Sequence, residues 1–158
     1  MQRMNKALFL DRDGVINIDH GYVYKIEDFF FTEKIFKIAK HYHDQGFLII
    51  VVTNQSGIAR GYYTESDFNQ LTQWMIKKFL DQGIEITKVY HCPHHPDFDG
   101  DCSCRKPMPG MILSAQAEFD LALPNSVLIG DSNTDIEAGK KAGVGENYLI
   151  YELNNTGL

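Results

Sequence analysis

Two carboxylates one residue apart, Asp11 and Asp13, follow the apolar run Leu8-Phe9-Leu10 and enter a turn at Gly14. Such a run reads as a buried strand. The pair therefore stands at a strand's carboxyl end, where open α/β sheets build their sites. A carboxylate there can be a nucleophile, a metal ligand or an acid/base group. Taken alone, acid-x-acid-glycine is commonly a solvated turn. Three further polar clusters change that balance: Thr53-Asn54-Gln55-Ser56, Arg105-Lys106-Pro107, and Gly130-Asp131-Ser132-Asn133-Thr134-Asp135.

The elements that must position these clusters can be read from periodicity. Ala7–Leu10 is a short strand, and Phe47–Val52 is a continuous apolar, β-branched run suited to a buried parallel strand. Lys88–His91, Val127–Ile129 and Tyr148–Tyr151 are shorter strand signals. Between them, residues 33–45 carry a helical stripe at Ile35, Phe36, Ile38, Ala39 and Tyr42, closed by Gly46. Thr64 caps a second helix, with acids in its first turn and a stripe from Phe68 to Leu80. Pro109 opens a helix through Phe119, and Asn133–Ala142 is a helix ended by Gly143. The order βαβαβαβαβ predicts a parallel sheet with helices on both faces, a Rossmann-like three-layer sandwich. Each polar cluster but one follows a strand directly; the exception, Arg105-Lys106-Pro107, closes the long loop after the third.

Four clusters in this order resemble the four motifs of the haloacid dehalogenase (HAD) superfamily of phosphatases. Within it the chain resembles the family of heptose 1,7-bisphosphate 7-phosphatases and histidinol-phosphate phosphatases, over nearly its whole length. The resemblance implies a Mg²⁺-dependent phosphomonoester hydrolase that removes the 7-phosphate of D-glycero-D-manno-heptose 1,7-bisphosphate, with histidinol phosphate as the alternative substrate. A non-catalytic zinc-stabilised binding module is the rival of a different class. It would have no need of Asp11, Asp13, Thr53, Lys106 and Asp131 together.

The residue chemistry fits that expectation. A phosphate ester is anionic, so an anionic nucleophile needs charge neutralisation. Asp11 and Asp131 can hold Mg²⁺ through hard oxygens, and the family adds the backbone carbonyl at Asp13. Asp11 would attack phosphorus and form an aspartyl-phosphate. Asp13 would protonate the leaving alkoxide and then activate water. Thr53 and Lys106 offer a hydroxyl and a point charge to the phosphoryl group. The resemblance also implies substrate contacts from Asp19, His20, Gly21 and Tyr22, from Thr53, Asn54, Gln55 and Ser56, and from Arg105 and Lys106. Arg105 could grip a second phosphate bidentately. Asp135 reads equally as a partner of the metal ligands or as a first-turn acid serving the helix dipole. Many family members have Lys where this chain has Ser132.

All 3 Cys lie between Cys92 and Cys104. Cys92, Cys102 and Cys104 with one imidazole make a full tetrahedral set for structural Zn²⁺. His94 and His95 are both placed to supply the imidazole, and the family pattern favours His94. Metal binding would order a loop, 92–104, that has almost no apolar residues of its own. Asp97, Asp99 and Asp101 do not make a calcium loop: Cys102 replaces the required glycine and Met108 the required Glu.

The 158 residues, 44% hydrophobic and 23% charged, suit one domain over 1–158, with the zinc loop inserted and no large cap. The net charge of −6 argues against nucleic acid or anionic membrane as partner. Met1-Gln2-Arg3-Met4-Asn5-Lys6 leads into the first strand without a signal peptide or membrane span. A cytoplasmic monomer acting on a phosphorylated sugar or similar small molecule is the expectation.

Overall fold

The computed structural model describes residues 4–153; the start of the N-terminal lead-in, residues 1–3, lies outside them. Five parallel strands, β1 (Ala7–Leu10), β2 (Leu48–Asn54), β3 (Ile86–Cys92), β4 (Val127–Gly130) and β5 (Glu146–Leu149), form one sheet in the order β3-β2-β1-β4-β5. The helices are α1 (Ile35–Asp44), α2 (Glu65–Asp81), α3 (Pro96–Asp99), α4 (Gly110–Phe119), α5 (Asn133–Ala142) and α6 (Ile150–Leu153).

Strand side chains alternate between faces, so each strand feeds two cores. Leu8, Leu10, Ile49, Val51, Val127 and Ile129 face α1 and α2, where they meet Ile35, Ile38, Leu71, Met75 and Phe79. Ala7, Phe9, Ile50, Val52 and Leu128 face α4 and α5, packing on Ile112, Ala115 and Ala138. Burial on both sides explains why these strands are continuously apolar in sequence.

The chain winds outward from β1 through β2 to β3. It then crosses back to lay β4 on β1's other side. The winding thus reverses at β1 and β4, and a crevice opens outside their carboxyl ends. Asp11 follows the first of these strands and Asp131 the second.

Element boundaries moved where tertiary pairing decides them. The last strand spans Glu146–Leu149 rather than 148–151, because its partner β4 ends at Gly130 opposite Leu149; the chain then turns into α6. Helix α1 starts two residues later than its stripe suggests. Thr32 before it is tied to the loop after β1, its N–H to the Ile16 carbonyl at 2.9 Å and its hydroxyl to Val15 at 2.6 Å. In the 92–108 loop, His95 Nδ1 caps the single-turn α3 by accepting the Asp97 N–H at 3.1 Å. Among the described residues no helix is long and apolar enough to cross a membrane.

Candidate active site

Asp11, Asp131 and Asp135 each present a carboxylate oxygen within 4.8 Å of the other two. Asp11 and Asp135 are buried, and Asp131 is the solvent-facing member. Gly14 makes the approach possible: its φ of +90° is in the left-handed region, and a Cβ there would overlap the Asp131 carboxylate. Lys106, itself buried, donates to Asp11 Oδ1 at 2.8 Å and to the Val52 carbonyl at 3.1 Å, and pairs with Asp135 Oδ1 at 2.5 Å.

One ammonium among three carboxylates leaves two negative charges uncompensated. The titration behaviour follows. Burial raises the Asp11 pKa well above the usual carboxylate value; Lys106 opposes the shift, and the Asp135 and Asp131 charges add to it. Partial burial and Asp135 likewise push Asp131 up, although its hydrogen bond to Asp11 acts the other way. Burial alone would raise Asp135, but Lys106 outweighs it and holds Asp135 below the ordinary value. Burial alone would lower Lys106, yet the two carboxylates keep it above the lysine norm. A buried set of hard oxygens that resists full ionisation unaided fits a divalent cation.

Asp13, two residues on, faces a different set of partners. Its Oδ1 accepts from Arg12 Nε at 3.1 Å, Arg12 Nη2 at 2.9 Å and Asn17 Nδ2 at 3.0 Å. Its Oδ2 accepts from Arg12 Nη2 at 3.2 Å and Gln55 Nε2 at 3.1 Å. Arg12 is buried between the rings of Phe29 and Phe68, each 5.9 Å from its guanidinium carbon.

The end of β2 serves three groups with three successive residues. Thr53 Oγ1 accepts from Gln55 Nε2 at 2.8 Å and donates only through a long contact, 3.4 Å, to the Asn54 carbonyl. Asn54 brackets the Lys106 backbone: Oδ1 accepts its N–H at 3.0 Å and Nδ2 donates to its carbonyl at 3.3 Å. Gln55 reaches Asp13. The Asn54 side chain therefore supports Lys106, whose following peptide bond to Pro107 is cis.

Asp11, Asp13, Asp19, Asn54, Lys106, Asp131, Ser132, Thr134 and Asp135 line a hollow of about 200 Å³. A second, of about 210 Å³, is lined by Asp13, Asp19, Gly21, Tyr22, Asn54, Gln55, Ser56, Gly57 and Tyr63. Asp13, Asp19 and Asn54 belong to both, so the two adjoin. The expected substrate stretch is thus largely brought to the acids. His20 is turned aside, its Nε2 bonded to the Asp28 carbonyl at 2.8 Å. Arg105 lines a neighbouring hollow of about 220 Å³ with Cys102, Lys106 and Met108.

The thiol loop gathers the three sulfurs. Cys92 and Cys104 are joined as a disulfide rather than standing as two thiolates. Cys102 Sγ lies 3.6 Å from the Cys92 sulfur and 3.5 Å from that of Cys104. Loop closure brings them together: the Gly110 N–H donates to the Ser103 carbonyl at 2.9 Å. His94, expected as the fourth ligand, lies apart from the three sulfurs in this arrangement. Its Nδ1 is held by Asp99 Oδ2 at 2.8 Å. His95 is engaged as well, with Nε2 3.0 Å from Arg60 Nη2.

Four contributors carried little or no signal in sequence. Asp135 turns out to do both jobs between which it was poised. It accepts the Asp131 and Ser132 N–H groups at 3.0 and 3.2 Å at the start of α5, and it pairs with Lys106. Arg12 lies between the two motif acids, where its residue type marks no role. Asn17 and Tyr63 belong to no motif, and only their contacts in the fold mark them.

Comparison with known proteins agrees with this geometry. Residues 103–145 match the Hydrolase_like family, described as HAD-hydrolase-like. The chain is 53% identical over 152 residues to the D-glycero-alpha-D-manno-heptose-1,7-bisphosphate 7-phosphatase of Campylobacter jejuni, covering 96% of this chain and 86% of that protein. It is 48% identical over 149 residues to the D-glycero-beta-D-manno-heptose-1,7-bisphosphate 7-phosphatase of Vibrio cholerae, covering 91% and 80%. Its structure resembles that of a D,D-heptose 1,7-bisphosphate phosphatase from B. bronchiseptica complexed with magnesium and phosphate. The TM-score is 0.82 at 30% identity, covering 89% of this chain and 78% of that one. With acids, lysine and hydroxyl gathered at the sheet's crevice and relatives this similar along nearly its whole length, the chain belongs to the heptose-1,7-bisphosphate 7-phosphatase family of HAD-type phosphatases.

Proposed function

We propose that this protein hydrolyses the 7-phosphate of D-glycero-D-manno-heptose 1,7-bisphosphate, with Mg²⁺ as cofactor and Asp11 as nucleophile. The observation that carries the reading is the trio Asp11, Asp131 and Asp135 around one buried Lys106. The relatives' shared substrate supports it over histidinol phosphate, and the magnesium and phosphate in the B. bronchiseptica structure support the metal.

Asp11, Asp131 and the Asp13 main-chain carbonyl would hold Mg²⁺, which supplies charge neutralisation where an anionic nucleophile meets an anionic ester. Asp11 attacks phosphorus, and a carboxylate–phosphorus bond forms as the bond to the sugar oxygen breaks. Asp13 donates a proton to the departing alkoxide. It then takes one from the water that hydrolyses the aspartyl-phosphate, which returns Asp11 and releases phosphate. Thr53 Oγ and Lys106 Nζ stabilise the charge spread over the phosphoryl oxygens. Asp19, Tyr22, Ser56 and Arg105 bound the space for the sugar and its second phosphate.

Asp11→Asn tests the reading. Phosphate release from the heptose bisphosphate in Mg²⁺ should fall by about 10³-fold or more in a variant that still unfolds cooperatively on heating. Retained activity in the folded variant would exclude Asp11 as nucleophile.

For the thiol loop we propose a structural Zn²⁺ when the cysteines are reduced. Tetrahedral thiolates about 2.3 Å from zinc lie about 3.8 Å apart, near the spacing of Cys102 from its two neighbours. His94 would complete the set by leaving Asp99.

A further inference from the structure

We infer that Gln55 and Tyr63 are positioning residues for Asp13: the Tyr63 hydroxyl holds the Gln55 amide in the orientation that aims its N–H₂ at the Asp13 carboxylate. The inference rests on the reading of Asp13 as the group that protonates the leaving alkoxide.

Gln55 is 2% exposed, and its amide is committed inside the site. Both Nε2 hydrogens are used, one on Asp13 Oδ2 at 3.1 Å and one on Thr53 Oγ1 at 2.8 Å. Oε1 accepts from the Tyr63 hydroxyl in a short bond. A glutamine amide has two faces that differ in charge. Turned over, it would set its oxygen against the Asp13 carboxylate and leave a buried donor facing Tyr63. The Tyr63 oxygen could accept from that donor, but the phenol proton would then lose Oε1, its one acceptor among the described residues, so the present orientation is the one that satisfies both groups.

The hydroxyl is well suited to this. Its ring is 5% exposed, stacks on Tyr24 at 5.2 Å with an interplanar angle of 9°, and covers Gly57, where a Cβ would overlap it. Burial pushes the phenol up to about 12, so it remains a donor throughout the neutral range.

The contact is also distinct in kind. Arg12 and Asn17 hold Asp13 from its own loop, within four residues. Gln55 holds it from 42 residues away, at the end of β2. It thereby sets Asp13 relative to Thr53 and so relative to the phosphoryl group. This assigns the Gln55 side chain a role other than substrate contact.

Tyr63→Phe removes one hydroxyl and keeps the ring. The comparison is kcat/KM on the heptose bisphosphate and on p-nitrophenyl phosphate, both in Mg²⁺. This parameter reports events through the first irreversible step, here P–O cleavage, and p-nitrophenolate leaves without a proton. On the sugar phosphate kcat/KM should fall about tenfold, a fraction of a full general-acid effect. On the aryl phosphate it should change less than about twofold, with melting temperature unchanged. Gln55→Glu, which turns an oxygen toward Asp13 but also breaks the bond to Thr53 and adds a charge, should lower kcat/KM on both substrates and more on the sugar phosphate. Equal losses on both substrates would overturn the inference, since they would trace to Thr53 or to the fold. No loss on either would overturn it too. Asp13→Asn must itself show the split; if it does not, the assignment of Asp13 as acid fails, and the inference with it.

Discussion

Asp11 stands among like charges with a single cation to share, and that imbalance has a measurable sign. Its folded pKa is raised chiefly by burial, so the folded state holds this proton more tightly than the unfolded chain. The stability involved is therefore present at low pH and lost as pH rises from the ordinary carboxylate range through the raised value. Metal-free protein should melt higher on mild acidification across that window. Asp11→Asn should flatten the dependence, and added Mg²⁺ should stabilise most at the high-pH end; a rise in melting temperature with pH would contradict the assignment. Asp135→Asn makes a different point. It removes one of Lys106's two carboxylates but keeps an oxygen to accept the Asp131 and Ser132 N–H groups. Lys106 retains Asp11, so the cost should stay below that of a stranded buried charge, about 1–2 kcal/mol in urea unfolding. Apparent Mg²⁺ affinity should weaken as well. The sequence singled out Asp11, Asp13, Thr53, Lys106 and Asp131 because each is a reactive type at a motif position. It was silent on Arg12, Asn17 and Tyr63, whose importance lies in which atoms they meet across the fold.

Elements made the chemistry legible in sequence, because strand ends deliver functional residues and strands have a strong apolar signature. Helix α2 shows local rules deciding a boundary. The Thr64 hydroxyl accepts the Asp67 N–H at 3.0 Å, and the Asp67 carboxylate accepts the Thr64 N–H at 2.9 Å, a reciprocal capping box of which the sequence shows the cap and the first-turn acids. Thr64→Ala should cost about 1 kcal/mol of stability, with kcat unchanged because Thr64 lies beyond the residues lining the site. A fall in kcat without a fall in stability would show that α2 couples to the site. Helix α5 and strand β5 behave differently. The strand's limits are set by where β4 stops beside it, which no local pattern records. Helix α5 begins where expected, yet its first-turn acid, Asp135, is shared with a lysine from another loop.

For the molecule as a whole, the sheet supplies the crevice and the 92–108 loop supplies one wall of it. Arg105 and Lys106 leave that loop directly after Cys104, so closing the thiol cluster holds both in place. Under reducing conditions the purified chain should carry one zinc, and chelation should lower the melting temperature by about 5 °C or more. Absence of zinc from reduced protein, with a quantitative Cys92–Cys104 disulfide in air, would make the cluster a covalent clip instead. By itself the sequence determined the parallel α/β architecture, three polar clusters at strand ends with a fourth closing the loop after the third strand, and the clustering of all cysteines. Each of these depends on local residue type, on continuous apolar runs for the strands or on a period of 3.6 for the helices. Tertiary structure alone decided that Asp135 joins the acid trio, that Asn54 and Gln55 support Lys106 and Asp13, and that Asp99 holds His94. Those outcomes depend on distances between segments far apart in the chain, which are set only when the two cores pack the strands side by side.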